Sequence, residues 1–173
     1  GVTEAIVVDN VDPEDLGRVK VKFPNQPEMP EGFWARVITP MAGRERGWAM
    51  IPEIDDEVLV TFIWGDVQHA IVIASLYNGV DTPPYANEDE DNNLRVFQSR
   101  SGHRLTFDDT DGAERVELIL FNEEIRIIFD SAEKIMSVYS GKDIDLTVEE
   151  TLSTKTMDFM LEAENSIELT AGA

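Results

Sequence analysis

The residues best suited by type to acid–base chemistry are four clustered acids, Glu53, Asp55, Asp56 and Glu57, and the pair Glu123–Glu124. Glycoside hydrolysis needs two carboxylates facing one another across a cleft, with pKa values pushed apart by their surroundings. Nothing in the spacing of these acids separates them from the acids of turns and solvated faces. The two histidines, His69 and His103, are far apart and have neither paired-ligand spacing nor a Ser–Asp arrangement beside them, so each reads as structural or superficial. Asp109-Thr110-Asp111-Gly112 has part of the look of a calcium loop. An EF-hand, however, needs an acid where Phe107 stands and a helix on either side, so a tight turn is the better account. The chain has no cysteine, which removes thiolate nucleophiles, disulfides and Cys-based metal sites. Arg18, Lys20, Lys22 and Arg36, with the aromatics Phe33, Trp34, Trp48 and Trp64, are the residue types that grip oligonucleotides or sugars. Acids outnumber those cations, and the rings suit barrel core or packing between subunits. The sequence therefore predicts no catalytic residue, no cofactor and no metal site.

Charge points the same way. The 173 residues carry 14 Lys and Arg against 35 Asp and Glu, a formal net charge of −21. Residues 1–95 hold 7 basic and 18 acidic side chains, and residues 96–173 hold 7 and 17. Neither half keeps a basic face for a phosphate backbone, so nucleic acid and an anionic membrane surface are poor expected partners. The acidity suits the solubility of a sticky β protein. The longest apolar run, Ala70–Ala74, is far too short to span a bilayer.

The elements that would carry these residues are strands. Ala5–Val8, Gly17–Phe23, Trp34–Ile38, Trp48–Ile51, Val58–Ile63 and Ala70–Ala74 are β-prone and bounded by Gly, Pro or Asp. Short curved strands without helical periodicity predict a small closed barrel of the OB type over residues 1–79. Residues 80–93, rich in Pro and then in acids, read as a linker. Residues 94–173 form the second domain.

In that second domain apolar side chains recur at every second position, the mark of strands with one dry face. The expected dry face comprises Leu105 and Phe107; Val116, Leu118 and Leu120; Ile125, Ile127 and Phe129; Ile144, Leu146 and Val148; Met157, Phe159 and Leu161; and Ile167 and Leu169. A single layer of such strands leaves this face and its edges open. Either the strands coil on themselves or several identical chains share one interior. A symmetric trimer asks least of each chain, and these sixteen residues are then its interior. The predicted class is all-β: a small OB-fold β-barrel followed by an intertwined trimeric β-helix (β-prism) shaft.

Several motifs, in order, resemble one family. Gly17-Arg18-Val19-Lys20-Val21, Phe33-Trp34-Ala35-Arg36-Val37, Pro40-Met41-Ala42-Gly43, Arg46-Gly47-Trp48 and Pro52 through Val60 look like the OB module of contractile-injection spikes. Gly65-Asp66, Ser75 through Gly79, Pro83-Pro84-Tyr85, and Arg100-Ser101-Gly102-His103 with Asp108-Asp109 continue the match. The family comprises phage baseplate spikes, the VgrG proteins of type VI secretion and the spikes of extracellular phage-tail-like particles. It usually has Gly where this chain has Asp55, and Pro with basic residues where this chain has Val67-Gln68-His69. The resemblance implies a structural, non-enzymatic homotrimeric spike, assembled on a baseplate and delivered outside the producing cell to pierce a target envelope. It implies a hub or tail tube at the N-terminal side and a tip protein of the PAAR type, with or without an effector, at the C-terminal end. That tip would dock on Ala171, Gly172 and Ala173. A carbohydrate-binding OB module on a β-solenoid stalk is the alternative.

Overall fold

A computed structural model describes residues 1–25 and 31–170 of the chain, which divide into two compact units, Gly1–Val96 and Phe97–Ala173. The first is built on five strands: β1 (Val2–Asp9), β2 (Val19–Lys22), β3 (Phe33–Val37), β6 (Glu57–Phe62) and β7 (Ala70–Ser75). They close in the order β1-β2-β3-β7-β6, and β6 returns to β1. Every pairing is antiparallel except that of β3 with β7, where Arg36 meets Ile71 and Val37 meets Val72. This is the five-stranded closed barrel expected of an OB fold.

Alternation explains why these segments close. Ala5 and Val7, Val19 and Val21, Ala35, Val58 and Val60, and Ala70 and Val72 all point inward and are buried. A five-stranded barrel has a narrow lumen, which small and β-branched side chains fill without voids. At one end Phe23 plugs the lumen, its ring centroid 6.0 Å from that of Phe33 and 5.7 Å from that of Phe62. Of the four aromatics singled out above, only Phe33 joins this core. Trp34 lies half-buried beneath the Arg18 guanidinium, 5.8 Å from its carbon, while Trp48 and Trp64 are exposed.

Trp48–Ile51, expected as a strand, makes no ladder. The preceding residues instead form a two-residue hairpin, β4 (Ala42–Gly43) with β5 (Arg46–Gly47), and the Trp48 N–H returns to the Met41 carbonyl at 3.0 Å. That bond closes the hairpin, so the apolar run that follows has no barrel edge left to join. Two short 3-10 turns, Ile63–Gly65 and Val67–His69, lead from β6 to β7. Residues 80–93 contain no strand and are shaped locally: Asn78 caps Val80 and Asp81, and the Tyr85 hydroxyl donates to Asp89 at 2.6 Å.

The second unit holds a meander whose order is β12-β11-β10-β9-β8, with β8 at Leu94–Gln98, β9 at Arg104–Asp108, β10 at Arg115–Ile119, β11 at Ile125–Asp130 and β12 at Ile135–Ser140. The segments expected as strands around Ile144–Val148, Met157–Leu161 and Ile167–Leu169 make no ladder within the chain, and every residue from 141 to 170 is exposed. A strand exists by pairing, and nothing in a lone copy lies alongside them. Among the described residues no helix is long and apolar enough to cross a membrane.

Candidate functional site

The meander has two unlike faces. On one, register aligns Phe107, Val116, Phe129 and Met136 in a row across four strands, and Leu105, Leu118, Ile127 and Val138 in a second row. Leu120 and Ile125 extend the same side, joined where the Leu120 N–H donates to the Ile125 carbonyl at 3.0 Å. The opposite face mixes polar pairs with Ile119, Ile128 and Ile135. Arg115 reaches Asp108 at 3.4 Å and Glu117 at 2.9 Å, and the Arg126 guanidinium lies 4.6 Å from the Tyr139 ring centroid.

The apolar face is open. Phe129 retains 51% of its surface and Met136 65%, and Phe107, Leu118 and Val138 are likewise exposed. Large apolar side chains aligned across a sheet stabilise it only when covered, and a contiguous exposed patch marks an interaction site. The structure thus gathers eight of the sixteen expected interior residues on one face: Leu105, Phe107, Val116, Leu118, Leu120, Ile125, Ile127 and Phe129. The other eight, Ile144, Leu146, Val148, Met157, Phe159, Leu161, Ile167 and Leu169, continue along the exposed stretch, where Met157 retains 99% and Leu169 90% of their surface. Ala171, Gly172 and Ala173 lie outside the described residues.

Met136 and Val138 were missed. In Ile135-Met136-Ser137-Val138-Tyr139 apolar groups occupy both phases, which hides the period of two; the spacing of β12 from β11 was the available signal.

The residues whose types suggested chemistry are used in turns. Asp56 accepts the Glu53 N–H at 2.8 Å, and Glu57 accepts from the Asn78 amide at 2.9 Å. Glu123 pairs with Arg104 at 2.9 Å, and Glu124 accepts from Asn122 at 2.7 Å. Asp108 accepts both the N–H and the hydroxyl of Thr110, at 3.0 and 2.6 Å, so Asp109–Gly112 is a tight turn between β9 and β10. The Thr110 hydroxyl is the chief reason the Asp108 carboxyl sits below its ordinary range. His69 Nδ1 lies 2.9 Å from Asp66, and His103 Nδ1 accepts the Phe121 N–H at 3.2 Å. Among the described residues no three His, Cys, Asp or Glu side chains are grouped as metal ligands.

A closed five-stranded barrel followed by an open antiparallel sheet defines an all-β protein with an OB-type module and a β extension. Residues 3–77 match the family model of the Type VI secretion system/phage-baseplate injector OB domain. The chain is 31% identical over 113 residues, 61% of its length, to the type VI secretion system spike protein VgrG3 of Vibrio cholerae. It is 26% identical over 168 residues, 83% of its length, to the actin cross-linking toxin VgrG1 of Vibrio cholerae. With the spike protein VgrG1a of Pseudomonas aeruginosa it shares 31% over 115 residues, 60% of its length. The family model and these relatives place the OB domain of residues 3–77 with the VgrG and phage-baseplate spikes. The chain spans 11%, 15% and 18% of the lengths of those three relatives.

Proposed function

We propose that this chain is the OB collar and upper shaft of the central spike of a contractile injection machine, and that three copies wind around one axis. The observation that carries the reading is the run from 141 to 170, exposed throughout, unladdered, and studded with apolar side chains on alternate positions. Its backbone N–H and C=O groups need strand partners and its apolar groups need cover. Winding with identical strands supplies both at once, and a closed prism leaves no edge. The open face of the meander, on the same chain immediately upstream, would be covered by the same neighbours.

The work of such a rod is mechanical. Driven lengthwise into a target envelope, it must neither unfold nor stick, which a dry shared interior and a strongly acidic exterior provide. A hub or tail tube would hold its N-terminal side, and a PAAR-type tip protein, with or without an effector, its far end; both partners come from the family likeness. No residue is assigned a catalytic role.

Light scattering on the folded full chain tests the reading. The expected mass is three times 19.4 kDa. A well-folded species of one chain would overturn the shaft. Phe129→Asp with Phe159→Asp is expected to abolish the large species, and an unchanged mass would overturn the assignment of these residues to the interior.

A further inference from the structure

The exposed run carries two phases of alternation. Ile144, Leu146, Val148 and Leu152 occupy even positions, whereas Met157, Phe159, Leu161, Ile167 and Leu169 occupy odd ones. The backbone also bends at intervals, at 141–142, 149–150, 157 and 164–165. Eight residues separate Ile144 from Leu152, Phe159 from Ile167, and Leu161 from Leu169. Only seven separate Leu152 from Phe159. The bends agree: two eight-residue rungs beyond 149–150 would end at 165–166, and the bend falls at 164–165. The side-chain pattern thus places one missing residue between Leu152 and Phe159, and the bends show the same shortfall between 149–150 and 164–165.

A uniform repeat has a weakness. Copies displaced by one whole rung present the same alternation to one another, so a slipped assembly loses only its terminal rungs. A single phase break removes that degeneracy. Displaced by one rung, a copy sets even-phase residues beside odd-phase ones around the break, and a one-residue mismatch turns every side chain of the affected rung to the other face. Only a partner with its break at the same height matches the stripe, and that partner is another copy of this chain.

We propose that the one-residue phase break between Leu152 and Phe159 is a register key that aligns copies of this chain along their common axis. The inference rests on the shared interior proposed above. Three chains that each lay one rung on every side of a prism climb one strand spacing of ~4.8 Å per rung, so rungs two apart in sequence stand about 9.6 Å apart along the axis. That exceeds the ~7 Å Cα separation beyond which a disulfide cannot close.

The chain has no cysteine, so introduced thiols report register cleanly. Chains carrying Ile167→Cys are to be co-expressed with chains carrying Phe159→Cys, one rung away, or Leu152→Cys, two rungs away, then oxidised and mapped. The expected result is 159–167 disulfides in about tenfold or greater excess over bonds joining 152 to 167. One threonine inserted between Thr154 and Lys155 restores the eight-residue spacing, and 152–167 bonds should then rise to a comparable level while the mass stays at three chains. Comparable 152–167 bonding in the native spacing, or an insertion variant as strict as the native chain, overturns the key. A strict register in an assembly of some other copy number supports the key and overturns the trimer, and a single-chain mass overturns both.

Discussion

Arg18 forks onto Asp12, with Nε 3.0 Å from Oδ2 and Nη2 2.8 Å from Oδ1. The buried carboxylate also accepts the backbone N–H groups of Glu14, Leu16 and Arg18, at 3.0, 3.1 and 3.1 Å. One side chain therefore organises the whole β1–β2 connection, and Glu14 adds a second acid 3.0 Å from the guanidinium. The Arg18 fork, ahead of the backbone donors, holds the Asp12 carboxyl well below the usual carboxylate range against the opposing effect of burial.

That depression fixes a pH dependence. An unfolded aspartate takes up its proton near pH 3.9, whereas folded Asp12 stays ionised to lower pH. Its stabilisation is therefore complete above about pH 5 and is lost as pH falls through the folded value. Asp12→Asn should lower the urea midpoint at pH 7, and the gap from the native chain should shrink below about pH 4. Asp108, also depressed, should leave the variant a residual acid slope. A gap that widens on acidification would contradict the arrangement.

Asp55 occupies the left-handed region, with φ of 74°, and its N–H donates to the Val7 carbonyl at 2.9 Å. Asp is among the few residues that tolerate this conformation, at some steric cost that glycine avoids. Asp55→Gly is expected to raise stability by about 0.5 kcal/mol, read as an upward shift of the thermal midpoint. A fall would show that the carboxylate does something the turn geometry does not reveal.

Gly102 also has a left-handed φ, 84°, and a Cβ there would lie 2.8 Å from Cδ2 of Phe121. The same turn brings His103 Nδ1 to the Phe121 N–H. Gly102→Ala should cost about 1–2 kcal/mol, since backbone strain is added even if the exposed ring moves aside. Denaturant titration of the full chain measures it.

Two aromatics give opposite expectations. Phe23→Ala opens the plugged end of the barrel and should cost about 3–5 kcal/mol. Trp64 is fully exposed, so Trp64→Ala should stay within about 0.5 kcal/mol of the native chain.

What could be read from the sequence followed the period of two. Val19 and Val21 alternate with Arg18, Lys20 and Lys22; Ala5 and Val7, and Val58 and Val60, keep the same spacing, and all became barrel lining. Leu105 through Phe129 alternate in the same way and share one sheet face. Failures came where alternation carries no information. Trp48–Ile51 is greasy on every position, and a side chain–independent bond from Trp48 to Met41 decides its path. In β12 both phases are apolar, so facing is set by register with Ile127 and Phe129 rather than by composition. The turn acids could not be told from candidate catalysts until their backbone donors were placed.

The parallel joint between β3 and β7 has a bearing on how force crosses the barrel. Val2 sits opposite Thr61, and Phe62 opposite Ala70, at one rim; Ile6 meets Glu57, and Val58 meets Ser75, at the other. The polypeptide enters at the first rim and departs from the second. A lengthwise blow between those points travels along the strand axes, where whole ladders resist in shear instead of peeling open bond by bond. Loaded between its two rims, the barrel is strained along its ladders rather than across them.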